Sequence, residues 1–346
     1  MATAFQADKR IVILKAEVTP GTFILPTATD NDCLLEDAKY DPKIEFDNSK
    51  KILTPDHANF EDVPGAQAID FSISGKLRCG SGVATAPKME KLFLMAGMVK
   101  AVVGSTGITY TDGGAGDFQT YSALVIDITG GASPVAVQHA FRGISADGEI
   151  GASGVGKPIM VGLKCQGIPV SASSLDLSNA FLSTVSAMTA PDTTSAVIFT
   201  NATTKIANTA FKISSFKLAF GNKIQPEINP GNTDATGYDY FGISERNPKL
   251  TINPMKTTKA IYDAIASAVS ASPLGGVDVE IAFGGSTFPW TISMPNCQQL
   301  NPKEAMSEGR VRWNLDFNLM RNGAATALVA NIPIEARYQI CQGVNH

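Results

Sequence analysis

The stretch Trp313–Met320 reads Trp-Asn-Leu-Asp-Phe-Asn-Leu-Met, so Trp313, Leu315, Phe317 and Leu319 alternate with Asn314, Asp316 and Asn318. Side chains of a strand point to opposite faces with period two, which predicts one apolar and one polar face. An earlier stretch has the same design: Ile159, Val161, Leu163 and Cys165 alternate with Met160, Gly162 and Lys164. Both 313 less 159 and 319 less 165 give a shift of 154 residues. A strand that occurs twice is expected to be the closing element of a duplicated unit, provided that its neighbours recur in order.

They do recur. Lys43–Asn48 (Lys-Ile-Glu-Phe-Asp-Asn) matches Lys217–Asn222 (Lys-Leu-Ala-Phe-Gly-Asn), with Ile44 answering Leu218 and Phe46 answering Phe220. Each copy then enters a polar loop bearing Pro and Gly, over 47–69 and 221–246, and leads to a strand around Phe71–Ser74 or Leu250–Asn253. A helix is predicted next. Over 86–98 Met89, Leu92, Phe93 and Ala96 share a face, and over 257–269 Ile261, Ala264, Ile265 and Ala268 do. Such stripes are core faces far more often than cofactor sites. A Gly-rich segment over 99–123 is extra to the first copy. Two hairpins follow, Leu124, Ile126 and Ile128 with Val135 and Val137, and Val277, Val279 and Ile281 with Trp290 and Ile292. The apolar faces match with shifts of 153 before the turn and 155 after it, a two-residue difference tolerable at a hairpin tip.

The predicted fold is therefore mainly β, two tandem β-sandwich domains each flanked by one helix. The expected boundaries are an extended arm over 1–40 with a turn at Pro20-Gly21, a first domain over 41–167, a linker over 168–209 containing a short helical piece near 179–188, and a second domain over 210–346. The last includes an edge strand over 332–340, since Pro333 is tolerated only at an edge. A chain of 346 residues suffices for two domains with their own cores. Gly, Ala, Ser and Thr between short apolar runs suit a β-rich chain with many turns.

Chemistry is sparse. Gly151-Ala-Ser-Gly-Val-Gly156-Lys157 satisfies half of a phosphate-binding loop, but Pro158 stands where Ser or Thr would hold magnesium, and the segment opens a strand rather than a helix. His57, His139 and His346 are isolated from one another and from Cys or Glu at ligand spacing. Five widely spaced cysteines, with no Cys-x-x-Cys, suit buried reduced thiols made in a reducing cytoplasm. Glu304 and Glu308 suit a solvated surface better than an acid/base pair. The opening residues lack an apolar core, so no secretion signal is expected and Asn201-Ala-Thr203 is expected to stay unglycosylated. A net charge of −4 and one notable basic pair, Lys50-Lys51, give no footprint for clamping nucleic acid. No catalytic, cofactor or metal residues are predicted, and an enzyme is not expected.

The ordered set resembles the bacteriophage major tail tube proteins of long, flexible, non-contractile tails. The carrying residues are the Glu17–Thr22 arm, Phe46 with its polar loop, the strand at Phe71, the helix at Met89–Met98, the hairpin over Gly130-Gly131 and the strand Ile159–Cys165, with the recurrence from Lys217 to Met320. The resemblance implies stacked rings of six β-sandwich units around a lumen through which double-stranded DNA passes without specific binding. With two copies per chain, three chains would make a ring with pseudo-sixfold symmetry. It also implies assembly in the host cytoplasm, residence in the virion, no membrane, and tape measure, terminator and distal tail proteins as partners. Alternatives are another virion shell component, such as a capsid decoration or tail terminator protein, and a carbohydrate-binding or adhesin-like module. The last would want exposed aromatics, whereas Trp290 and Trp313 alternate with polar residues as core positions do. Finally, the two long loops place Ile52, Leu53, Phe60 and Val63, and Ile224, Ile228, Tyr238, Tyr240 and Phe241, on projecting segments expected to join stacked rings.

Overall fold

The computed structural model describes residues 5–343 apart from 31–32, 34, 48–62, 83, 104–106, 114–117, 130–135, 171–194, 201, 208, 233–235, 255–275, 285–288, 301–302, 308–309, 322–331 and 333–334. The fold is mainly β, as the period-two patterning requires. The strands of the N-terminal part are β1 (Phe5–Ala16), β2 (Asp37–Asp47), β3 (Val63–Lys76), β4 (Met98–Val103), β5 (Gly107–Asp112), β6 (Tyr121–Thr129), β7 (Ala136–Ala152) and β8 (Met160–Pro169). Beyond them come β9 (Thr203–Ile206), β10 (Thr209–Phe211), β11 (Ile213–Ala219), β12 (Asn222–Ile228), β13 (Tyr238–Arg246), β14 (Lys249–Pro254), β15 (Val277–Phe283), β16 (Trp290–Gln299), β17 (Lys303–Ser307), β18 (Arg310–Leu319) and β19 (Gln339–Gly343). One α-helix, α1 (Glu90–Met95), is described.

Six strands lie side by side, all antiparallel, in the order β1-β6-β7-β8-β3-β2. Six others lie in the order β9-β15-β16-β18-β14-β11. Numbered by appearance in the chain, both sets have the order 1-4-5-6-3-2. The recurrent strand sits in matching places: Leu163 faces Ile73, and Phe317, 154 residues later, faces Leu250. Leu315, Phe317 and Leu319 are buried as predicted, while Trp313 is only half-buried against the same core.

Other matches shift. Ile73 also faces Ala38, and Leu250 also faces Leu218, so Ala38 rather than Ile44 holds the place of Leu218. The slip is six residues. An even slip keeps the same side chains on the same face, so periodicity alone does not detect it. Leu124 and Ile126 pack with Ile13 and Ala140 in a small separate cluster, whereas Ala123 and Val125 belong to the main core, as Val279 and Ile281 do. From Tyr121 to Asp127 every residue is buried, leaving no alternation from which to choose a face.

The two sets share one core. Trp290 of β16 lies 6.4 Å ring to ring from Phe93 of α1 and donates from Nε1 to Cys79 Sγ at 3.2 Å. The predicted helical face at Met89, Leu92, Phe93 and Ala96 is buried, but the helix spans only six residues. Gly97, with φ +75°, ends it, its N–H donating to Leu94 O. The positive φ favours glycine, and a side chain there would also have to displace Ile243 Cδ1 and Arg246 Nη2, each at 2.6 Å. The predicted 257–269 and 179–188 helices lie outside the described residues.

The Gly-rich 99–123 segment largely forms the β4–β5 hairpin and the start of β6. One further expectation is corrected. The C-terminal strand is Gln339–Gly343, and it is no edge: β19 pairs with β16 on one side and β5 on the other, all five residues buried. Its buried Gln342 donates from Nε2 to Gly82 O and Thr85 O and accepts from Gly80 N, which is why a polar residue sits in the middle of a sheet. Within the expected linker, β9 pairs with β15, and Ala196 and Ile198 bridge to Arg78 and Pro158.

Asp112, at the end of β5, ties down the segment before β19. It accepts from Arg337 N at 2.6 Å, Arg337 Nη1 at 3.0 Å and Tyr338 N at 3.3 Å. Burial raises its pKa above the ordinary carboxyl value, and the hydrogen bonds from Arg337 and Tyr338 offset this in part. A raised folded value means that the folded protein holds this proton more tightly than the unfolded chain does. The contribution of this group to stability is therefore fully present below about pH 4 and is lost as pH rises through the folded value. Wild type is expected to lose stability relative to Asp112→Asn as pH rises from about 4 to 7, measured by urea denaturation. A difference that is constant across that range contradicts this assignment.

Candidate functional site

The described residues offer little reactive chemistry. None of their His, Cys, Asp and Glu side chains form a group of three able to hold a metal ion. All five cysteines are buried. Burial raises the thiol pKa of Cys165 and Cys297, and that of Cys341 to about 11, which keeps them protonated and unreactive near neutrality. The Gly151–Lys157 segment leads from the end of β7 towards the strand β8 rather than into a helix. A concavity of about 480 Å³ opens between β3, β8 and β12, but Asp70, Asp147, Lys164 and Asn222 along it bring mixed charges and structural partners rather than a convergent set. There Asp70 pairs with Lys43, and Asn222 Nδ2 donates to Ala96 O and Ala146 O.

What the fold does present is a set of joints and edges. The first joint lies inside the chain. At its far end β7 leaves β6 and takes β11 as a neighbour, Glu149 to Ala152 facing Ala219 to Phe216, with Phe220 N donating to Gly148 O at 2.8 Å. Lys217 on β11 forms an ion pair with Glu149 on β7. Gly151 permits the close approach, because a side chain there would meet Phe216 O at 2.5 Å. The end of β7 beyond the reach of β6 thereby carries the sheet into β11, the edge strand of the other set.

The second feature is the 221–246 segment, expected as a loop. It is a two-stranded hairpin, β12 against β13, starting at a turn where Gly221 has φ +64°. Part of it folds back on the N-terminal set: Arg142 Nη1 donates to Asp239 O and to Gly21 O, and Ser145 Oγ donates to Phe241 O. Of the residues predicted to project, Phe241 is buried, so that assignment is corrected; its apolar ring faces the protein because β13 lies across β7. Tyr238 packs on Phe241, and Tyr240 on Phe118, each half-buried. Ile224 is half-buried, and Ile228 at the end of β12 is 72% exposed. Ile52, Leu53 and Phe60 lie outside the described residues. Val63 begins β3, its backbone paired with Asp47.

Sequence reasoning named the Glu17–Thr22 arm but missed how it is held. Glu17 is buried, with both oxygens fully engaged: Oε1 accepts from Ser122 Oγ and Gly143 N at 2.8 Å, and Oε2 from Thr120 Oγ1 at 2.7 Å and Gly21 N at 2.8 Å. The available signal was a lone acidic residue just before a Pro-Gly turn. The third feature is a pair of open strand edges. Among the described residues β2 pairs only with β3, and β17 only with β18. Along β2, Asp37, Lys39, Asp41, Pro42 and Lys43 are exposed, and Lys303 and Glu304 are exposed on β17. Charges and proline are what soluble chains place on an edge that must not pair indiscriminately. Scans of the chain against family models and against curated proteins find no match.

Proposed function

We propose that this chain is a structural virion subunit that polymerises into stacked rings to form a phage tail tube, the conduit for ejected DNA. The supporting observation is that two sets of six strands share the order 1-4-5-6-3-2 and meet where the far end of β7, beyond β6, pairs with the edge strand β11. On this reading each chain carries a duplicated tube-type β-sandwich, three chains supply six units, and the ring has pseudo-sixfold symmetry. A net charge of −4 suits a wall past which DNA must slide, since clustered Lys and Arg would release counterions and hold it. The β12–β13 hairpin supplies the contact between rings, with Ile228 as the exposed apolar residue near its polar tip.

Negative-stain images and sedimentation of purified full-length chain test this. Tubes or rings of trimer mass are expected. Ile228→Glu is expected to leave rings that no longer stack, because a charge then enters an apolar contact. Dispersed monomers at all concentrations overturn the tube reading; full-length tubes from Ile228→Glu overturn the hairpin contact alone.

A further inference from the structure

The joint between β7 and β11 brings one place in the second set against one place in the first, and the strand pairings identify the residues that hold the reciprocal places. Lys217 on β11 faces Gly151 on β7. Its place in the second set is fixed by the ladder Lys217–Thr251–Asp316. In the first set the corresponding ladder is Gly162–Ser74–Asp37, because Gly162 precedes Asp316 by 154 residues. Asp37 thus occupies the place of Lys217. Gly151 faces Met160, which precedes Asn314 by 154 residues, and Asn314 faces Lys303. Lys303 thus occupies the place of Gly151. By the same route Lys39 takes the place of Ala219, and Leu300, whose N–H donates to Asp316 O, takes that of Glu149.

We infer that successive chains join through this second copy of the joint, the β16–β17 edge of one chain running antiparallel to the start of β2 in the next, with Asp37 facing Lys303. The inference rests on the proposed ring. Each side is an edge with one described strand neighbour, so both have backbone groups to offer. Inside the chain the joint carries the pair Lys217–Glu149; between chains it carries Asp37 and Lys303, an acid and a base at directly facing positions. Opposite charges across an edge select this partner and register over others. Leu300, a large apolar residue 38% exposed, becomes covered against the stem of Lys39. Arg10 Nη1 already donates to Ala38 O at 2.7 Å, and that carbonyl has a second lone pair for a strand N–H. Lys303 carries a side chain where Gly151 has none, so the joint between chains is wider and relies more on charge. A head-to-tail contact of this kind closes into a ring when its rotation matches that of the internal joint.

The test uses the full chain and three variants, Asp37→Lys, Lys303→Asp and the double exchange, followed by sedimentation and electron microscopy. Each single reversal places like charges face to face and is expected to abolish ring-sized species while leaving the circular dichroism of the wild type. The double exchange is expected to restore them. A cysteine pair, Asp37→Cys with Lys303→Cys, is expected to give covalently closed trimers on oxidation, since the native cysteines are buried. Wild-type assembly by both single variants, or oxidation without linkage between chains in assembled protein, overturns this joint and leaves the tube reading standing. A wild type that never leaves the monomer overturns both.

Discussion

Phe317→Ala is expected to lower the free energy of unfolding by about 3–5 kcal/mol. Phe317 is fully buried on β18, faced by Leu250 of β14 on one side and by Gln299 of β16 on the other. Neighbours held in hydrogen-bonded ladders on both sides cannot close over the space that the ring leaves. The loss therefore includes a cavity as well as the transfer of the ring to water. Urea denaturation at low protein concentration separates this from any stabilisation by assembly, which rises with concentration. A loss under about 1 kcal/mol would mean that the core relaxes around the site or that the face is exposed.

Glu17→Gln is expected to cost about 2–4 kcal/mol, a large effect for the exchange of one oxygen for nitrogen. Each carboxylate oxygen accepts one hydroxyl and one backbone N–H. A hydroxyl can rotate and accept, but the N–H groups of Gly21 and Gly143 cannot. Either orientation of the glutamine amide leaves one of those two donors facing an NH2 group. The damage extends beyond the arm. Gly143 has φ +59° and approaches Tyr240 so closely that a side chain there would meet its Cα at 2.8 Å, and the adjacent Arg142 bridges Gly21 O and Asp239 O. Hydrogen exchange is expected to quicken at Gly21, at Gly143 and along β13 in the variant. Unchanged exchange at all three would show that the carboxylate is not what pins arm and hairpin together.

The sequence carried the mainly β character and the place of the recurrent strand, because both rest on local rules. Alternation of apolar and polar residues dictates which face of a strand is buried, and it did so for Leu315, Phe317 and Leu319. The buried face of α1 was equally legible from the spacing of Met89, Leu92, Phe93 and Ala96. Where β6 is buried on both faces the pattern vanished, and with it the choice between Leu124 and Val125. Of the candidate surface, the exposed Ile228 was legible as an apolar residue in a polar stretch. The burial of Phe241 was not, because it depends on β13 lying across β7, a contact more than ninety residues distant in sequence.

Tertiary structure decided the rest, and for one physical reason: backbone hydrogen bonds are blind to side-chain type. Nothing in Gln339–Gly343 announces that it will pair with β5 and β16 at once, and nothing in Lys217 announces Glu149 as its neighbour. Even the alignment of Ala38 with Leu218 emerged only from ladders, since a slide of six residues preserves every inward and outward position. Glu17 shows the same division. A single acidic residue beside a Pro-Gly turn gives no hint of four donors, two of them backbone groups from segments brought together by folding. Local patterning determined what each strand buries; the pairing of distant edges determined what the strands build.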